Sequence, residues 1–505
     1  MNAEALKRRL DKAKADRNQW RDLLEDAYDY IIPFRNNFSN RKEGQQENNH
    51  IYDDTAPQAI PRFASRIQRS LFPENQDFVL FKAGDDIPEG ERQNVDDSLE
   101  EYTKAFHGDF KQSNFQSEIT PSLVDCGIST GVIQIDEEPI SSEKLYYFTN
   151  IPLDEIAFEK PVKGELVNLW RTMKVVAERI KETWPKAKIP DQLASIIDKS
   201  PLDEVDIAIG QIKEKDVFHI YIMWEKHILL DITHKTQRII AFRLNAFPKE
   251  TYGRGPGILV LPAIKDVNVI KKLTIENAAI QVAGMYTGRT DGVFNPYTFT
   301  VQPAGMIPVA SNDSSNPTLM KLPQAGDLSV SKIVTEELQD AIRKAFFVDP
   351  LGEISDPVRS ATEQTMRMQE FLKDQGASIG RLRAELVNKI IVACIDISTT
   401  RGRLPASIKV DGKSVKIEHN TPLVQAEKQE GFQAIMTWMQ SLLAVMPQEA
   451  VIGTVKIEDL PEGTAEMLNI SSKYVRERSE RAEVADQLRS ALVGQQADTE
   501  SVPAS

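Results

Sequence analysis

Residues 252–286, "YGRGPGILVLPAIKDVNVIKKLTIENAAIQVAGMY", decide the fold. A glycine-rich turn leads into a helix expected over about residues 264–285. Residues 286–327 follow, crowded with Gly, Pro, Asn and Asp, and read as a compact module of short strands and loops. A second helix is expected over about residues 328–347. Each helix would be roughly 30 Å long at 1.5 Å per residue. A matched helix pair holding out a 42-residue module is a stalk with a tip.

Beyond the second helix lies "VDPLGEISDP", a turn-rich loop, and then residues 355–391, "SDPVRSATEQTMRMQEFLKDQGASIGRLRAELVNKII". Asp356 and Pro357 suit a helix cap and first helical residue, and Ser360 with Glu363 offers a capping box one turn on. The helix is expected to run to about residue 399, roughly 60 Å if straight. Gly376 and Gly380 weaken it near its middle. A G-x-x-x-G spacing lets another helix approach closely, as in membrane dimers; alternatively the glycines mark a bend. Arg381, Arg383 and Glu385 follow directly, so this helix does not lie in lipid. Residues 408–418, "IKVDGKSVKIE", are expected to form a hairpin turning at Asp411-Gly412. Two or three helices are expected between residues 425 and 492, then a disordered tail, "GQQADTESVPAS".

On the other side of the stalk, Leu6, Leu10, Ala13, Trp20, Leu24, Ala27 and Ile31 recur at helical spacing and predict one amphipathic helix stopped by Pro33. "DDTAPQAIPRFASRIQRSLFP" predicts a second, closing at Pro73. Further helices are expected over residues 95–110 and 115–127. From Gly131 the pattern shifts to short β-rich runs, "GVIQIDEE", "KLYYFTN", "VNLWRTMKV", "VFHIYIMW", "HILLDI" and "TQRIIAFR", with a helical insertion around residues 175–200. The fold class is α+β, mainly α, with antiparallel strands over residues 131–250.

The formal charge is −14 over 505 residues. That balance opposes tight wrapping of nucleic acid, which depends on neutralising phosphates. Two cysteines, Cys126 and Cys394, are too few for a disulfide framework, so a reducing cytoplasm is expected. No signal-peptide core opens the sequence, and no run of 18 apolar residues occurs, so neither a leader nor a membrane span is expected.

The chemical motifs read as structural. Gly412-Lys413-Ser414 ends like a P-loop, but Ser407 stands where the earlier glycine belongs, and the context is strand–turn–strand. Gly253, Gly255 and Gly257 lack the rest of a dinucleotide fingerprint and read as a turn. His219, His227 and His234 lie on neighbouring strands without a further ligand at metal spacing. No G-x-S-x-G or H-E-x-x-H occurs. No enzyme, cofactor or metal is expected. Lys265, Lys271 and Lys272 fall on the first stalk helix, and Lys332, Arg343 and Lys344 on the second, where Glu336, Glu337 and Asp340 balance them. In a ring of copies such residues become rings of charge.

Three stretches carry a resemblance: "IYDDTAPQAIPRFASRIQRSLFP", "YGRGPG", and "SDPVRSATEQTMRMQE" with Ala361-Thr362-Glu363 and Arg367. Around the helix–tip–helix, they make the chain resemble the portal (head-to-tail connector) proteins of short-tailed bacteriophages over about residues 1–420. Relatives often carry a tryptophan near Phe78, where this chain reads Asp77-Phe78-Val79. The last 85 residues match only in being helical.

The resemblance implies a portal fold. Residues 1–262 would form the wing, 263–285 and 328–347 the stem, 286–327 the clip, and 348–356 the tunnel loop. A long wing helix with its hairpin would cover 357–418, and a crown with a disordered tail 419–505. It implies a homo-oligomeric ring, usually of about twelve subunits, at one capsid vertex of the virion, assembled in the host cytoplasm. Double-stranded DNA would pass through it without sequence preference. The terminase large subunit, a major capsid or scaffolding protein and tail adaptor proteins would be its partners, with no membrane. Lys332, Arg343, Lys344, Asp349 and Glu353 would face the channel, Phe294, Tyr297 and Phe299 would serve docking at the clip, and Gly376 and Gly380 would bend the wing helix. An acidic wall with a few basic rings would centre DNA without gripping it. An unrecognised soluble α+β enzyme and another oligomeric virion scaffold are the alternatives.

Overall fold

A computed structural model describes residues 1–35, 49–283, 286–289, 309–321, 328–348, 376–404, 415–447 and 460–468, with short breaks in loops and a few isolated residues between them. Within these, helix outweighs strand, as the α+β expectation requires.

The first amphipathic stripe does not make one helix. It makes two, Ala3–Asn18 and Arg21–Ile31. Between them the Trp20 ring lies 5.5 Å from Tyr252 and beneath the Arg254 guanidinium at 5.1 Å. The break sends the stripe to two cores. Leu6, Leu10 and Ala13 pack on Trp170, Ala208, Ile212, Tyr221 and Met223, whereas Leu24, Ala27, Tyr28 and Ile31 enter the main core. Helices Thr55–Leu71 and Phe115–Ile128 follow close to their expected bounds, whereas Glu89–Gln112 begins six residues before the expected start at 95.

Strand β1 (Val79–Ala83) precedes a three-stranded antiparallel sheet, β3-β2-β9, built from β2 (Thr130–Glu137), β3 (Tyr146–Asn150) and β9 (Ile239–Arg243). A five-stranded antiparallel sheet holds, in order, β4 (Ile156–Phe158), β5 (Leu169–Val176), β6 (Glu204–Glu214), β7 (Val217–Trp224) and β8 (His227–His234). The expected helical insertion is present as Arg179–Thr183 and Asp191–Lys199. The central strand β6 was not among the expected strands. Both its faces are covered: Val205, Ile207 and Ile209 face the main core, Ala208 and Ile212 the helix Ala3–Asn18. A strand covered on both faces loses its polar–apolar alternation. Gly210 leaves room for the Trp170 ring, which would stand 2.3 Å from an added Cβ.

The G-x-G-x-G turn is a packing device. A Cβ on Gly255 would lie 2.3 Å from the Gly127 carbonyl oxygen, and one on Gly253 2.6 Å from that of Ser129. The seam is bonded throughout. Gly255 N donates to Ile128 O at 2.9 Å. Ser129 Oγ donates to Gly253 O at 2.8 Å, and Gly253 N to Thr130 Oγ1 at 2.9 Å. The end of helix Phe115–Ile128 is thus pinned to the base of the stalk.

Two buried ion pairs complete the frame. Arg35 grips Asp125 with both Nε (2.7 Å) and a terminal nitrogen (2.6 Å), and Tyr28 Oη donates to the same carboxylate at 2.8 Å. Burial opposes the Arg35 charge, but the Asp125 carboxylate outweighs it and holds the guanidinium above its ordinary pKa. Arg243 pairs with Glu385 at 2.8 Å and also donates to the carbonyls of Thr251 and Gly164.

Glu385 sits in a π-helical turn, Arg383–Val387, between helical segments Gly376–Leu382 and Asn388–Thr400. Among the described residues, a Cβ on Gly376 or Gly380 would meet nothing within 4 Å. The irregular turn of the described helix lies just beyond, where Glu385 reaches Arg243; π-turns are recognised sites of helix deformation. The earlier part of that helix, residues 357–375, lies outside the described residues.

The second strand of the expected hairpin has a partner far away in sequence. The hairpin's first strand and turn, residues 408–414, lie outside the described residues. Its second strand, β12 (Val415–His419), pairs antiparallel with β1, from Val79 opposite His419 to Ala83 opposite Val415. Next to it, Phe78 is buried among Phe72, His107 and Phe110, at ring distances of 5.3, 4.8 and 5.3 Å, so an aromatic residue suits that position.

Gly255→Ala should destabilise the protein by about 3 kcal/mol, the upper end for overpacking, since backbone rather than a flexible side chain must move. Gly108→Ala, with open space around it, should fall within about 1 kcal/mol of the parent or stabilise it. Chemical denaturation of the two variants side by side checks this contrast.

Candidate functional site at the paired helices

The paired helices are Leu261–Ala283 and Leu328–Ala345. The short helix Pro256–Leu259, with proline at its first position, leads into the first of them. Leu261, Ile264, Val267 and Asn268 form its buried stripe at helical spacing. The stripe continues, half-buried, to Thr274, whose Oγ1 lies 2.8 Å from Ser331 Oγ on the second helix. Val269 (56% exposed), Leu273 (57%) and Ile280 (46%) lie elsewhere. At 100° per residue these three fall within about 40° of one another, on the face opposite the buried stripe. Ile333 (58% exposed) adds apolar surface on the second helix.

At the far end the chain passes through a two-stranded neck. β10 (Tyr286–Gly288) pairs antiparallel with β11 (Leu319–Lys321). Arg289 N donates to Thr318 O at 2.8 Å, and Thr318 N to Ser311 O at 3.0 Å. The tip is therefore closed at its root. Phe294, Tyr297 and Phe299 lie outside the described residues, as do Asp349 and Glu353.

At the base, one carboxylate joins three helices. Asp53 is buried. Its Oδ1 accepts from Thr55 N at 3.0 Å, at the start of helix Thr55–Leu71. Its Oδ2 accepts from Gln339 Nε2 at 2.5 Å, on the second stalk helix, and lies 3.6 Å from Lys271 Nζ on the first. Asn268 Oδ1 accepts from the backbone N–H groups of both Tyr52 (2.8 Å) and Asp53 (3.0 Å). Lys265 pairs with Asp26 and lies over the Tyr30 ring at 5.3 Å. The second helix ends with Phe346 and Phe347 against Phe63, at 6.3 and 5.7 Å. The Arg66 guanidinium donates to the Phe347 carbonyl.

The expected basic residues are distributed accordingly. Lys332 is exposed and lies 3.7 Å from Glu336; Arg343 lies 3.0 Å from Asp340 and is partly covered. Eleven residues put Lys332 and Arg343 on one helical face, roughly 17 Å apart along the axis, with Lys344 about 100° around. The structure brings Lys265 and Lys271 instead to the anchorage. Asp53, Asn268 and Gln339 were not among the expected site residues. Only the Asp-Asp preceding the helix start at Thr55 hinted at the first of them.

The three strand histidines do not gather. His219 Nδ1 lies 3.0 Å from Asp231 Oδ1. Burial, then Arg238, holds His234 down to about 4. Among the described residues no three His, Cys, Asp or Glu side chains converge as a metal site would require, and no helix is long and apolar enough to cross a membrane. What the described residues offer is mechanical: a bonded root, a two-stranded neck and, between them, a slender shaft with an apolar face.

A family model described as "Bacteriophage head to tail connecting protein" matches residues 3–475. No curated protein matches the chain.

Asp53→Ala should cost about 2–4 kcal/mol, from the Thr55 N–H and the stalk donors left without their buried acceptor. The half-exposed Lys271 contributes little of this. Hydrogen exchange should quicken in Leu328–Ala345 and in the first turns of Thr55–Leu71, while the five-stranded sheet keeps its protection.

Proposed function

This chain belongs to the family of bacteriophage head to tail connecting proteins, and from that membership we propose that it acts as the portal of the virion. In this reading about twelve copies close into a ring at one capsid vertex. The ring is the channel for packaging and ejecting DNA and the platform on which first the terminase large subunit and later tail adaptor proteins dock. Capsid or scaffolding protein surrounds it.

The supporting observation is the second apolar stripe of the stalk. A pair of helices covers one stripe on each, yet the first helix carries Val269, Leu273 and Ile280 on its opposite face. A monomer leaves them in water, whereas in a ring each stalk lies between two others and the stripe is covered. Residues 1–262 and 357–418 then form the wing, 263–285 and 328–347 the stem, 286–327 the clip, 348–356 the tunnel loop and 419–505 the crown. The glycine seam and the Asp53 joint fix the stem to the wing. Lys332 and Arg343, on one helical face, would form two basic tiers in the lumen, with Lys344 beside the lower one and Asp349 and Glu353 adding acidic rings in the tunnel loop. Phe294, Tyr297 and Phe299 would meet partners at the clip, and Gly376 with Gly380 would let the wing helix change direction.

Electron microscopy of purified protein should show rings with a central hole; only monomers at micromolar concentration would overturn the reading. Val269→Asp with Leu273→Asp should leave a folded monomer that does not close rings, as read by native mass spectrometry.

Phosphate contacts from a few basic tiers hold DNA weakly and fade with salt. A Lys332→Gln, Arg343→Gln, Lys344→Gln variant should therefore assemble and package normally but leak DNA from filled heads. Unchanged retention, measured by nuclease sensitivity, would remove these residues from the channel.

A further inference from the structure

A cleft of about 640 Å³ opens between helix Ala3–Asn18 and the helical insertion, above strands β5 and β6. It is of the size that small-molecule sites occupy. Helix Ala3–Asn18 contributes a basic wall. Lys7 and Lys14 stand seven residues apart, so they share one helical face to within about 20°, and the buried Leu10 lies between them. The carboxylates come from the other side: Asp203 precedes β6, and Glu204 and Asp206 open it. Lys199 and Glu225 add one charge of each sign. Hydroxyls of Thr172, Ser195 and Ser200 complete the polar lining.

Lys14 is the group this cleft leaves unsatisfied. Lys7 pairs with Asp11 at 3.2 Å, and Glu204 with Lys174 at 3.6 Å. Lys14 is half-buried, and among the described residues its ammonium forms no ion pair. Burial, then repulsion from Lys7 and Arg17, pushes its pKa below the ordinary lysine value, against a weaker pull from Asp206 and Asp11. Lys7 and Lys14 therefore converge closely enough for their repulsion to outweigh the carboxylates within reach. Two ammonium groups at one place call for a dianion. The carboxylates beside them accept hydrogen bonds from hydroxyl groups. A phosphate monoester that carries hydroxyls meets both demands, with a charge close to −2 near neutral pH. A carboxylate ligand brings only one charge. A nucleic-acid strand fits poorly, because its further phosphates would run against Asp203, Glu204 and Asp206.

We propose that this cleft binds a hydroxyl-bearing phosphate monoester of up to nucleotide size, its phosphate held between Lys7 and Lys14 and its hydroxyls on Asp203 and Asp206. The site is built within one chain and does not rest on the ring reading above.

Adenosine 5′-monophosphate serves as the probe, with adenosine and inorganic phosphate as controls. Trace acetylation of the full-length protein by acetic anhydride, read lysine by lysine by mass spectrometry, reports on each amine. The probe at about 1 mM, saturating for a Kd of about 0.1 mM, should slow acetylation of Lys7 and Lys14 about tenfold. Lys12, exposed on the same helix, should not change. Adenosine should protect neither lysine, and inorganic phosphate should need about ten times the concentration, since it lacks the hydroxyl contacts. In calorimetry, Lys14→Gln should abolish binding and Lys12→Gln should keep it. Asp206→Asn should weaken binding of the ester without weakening that of inorganic phosphate. Unchanged acetylation of Lys7 and Lys14 with both phosphates overturns the site. Protection by inorganic phosphate at the concentration where the ester acts, or by adenosine alone, overturns the assignment to an ester. Slowing of Lys12 in step with Lys14 is general charge screening and overturns the proposal as well.

Discussion

Two stretches of backbone approach each other so closely that no side chain fits between them. Gly255 rests on the carbonyl of Gly127, and Gly253 on that of Ser129. Helix Phe115–Ile128, strand β2 and the root of the stalk meet at this seam, and Ile31 of the N-terminal pair touches the site of a Cβ on Gly257. Its hydrogen bonds satisfy the polar backbone that so close an approach buries. An added methyl group here would displace backbone, and the displacement would be carried along a shaft about 30 Å long. A small error at the root becomes a large one at the tip.

The Asp53 joint secures the other side of the same root. The seam fixes only the first stalk helix. The second returns from the tip and is fixed by Gln339 on Asp53 and by Phe346 and Phe347 on Phe63. Both helices are thereby referred to helix Thr55–Leu71, which packs on Phe115–Ile128, so these N-terminal helices and the stalk are joined at one root. Buried charge is used consistently in this framework. Arg35–Asp125 and Arg243–Glu385 each join elements far apart in sequence, and each guanidinium also donates to other acceptors. Breaking such a pair leaves an uncompensated buried charge, which is why the joints they form are specific.

The apolar surface left over at the stalk follows from slenderness. A two-helix shaft cannot cover its full circumference from within one chain. At the stalk, Val269, Leu273 and Ile280 form one stripe at helical spacing, while Ile275 is exposed on another side of the same helix.

Much of this was legible in the sequence because it depends on local rules. Helical periodicity and the glycine-rich turn gave the helix pair. The family followed from the order of these parts. What periodicity could not carry was the destination of a face. One apolar stripe over residues 6–31 looked like one helix, yet it serves two cores through a break at Trp20. Strand β6 escaped notice because both its faces are covered. The second strand of the expected hairpin pairs with Val79–Ala83, more than 300 residues earlier. Gly376 and Gly380 were legible as weak points of a helix. That Glu385 takes the irregular turn to reach Arg243, only the tertiary structure decided. Local propensity is set by neighbours along the chain, whereas Asp53, Asn268 and Gln339 act through partners that become neighbours only when the chain has folded.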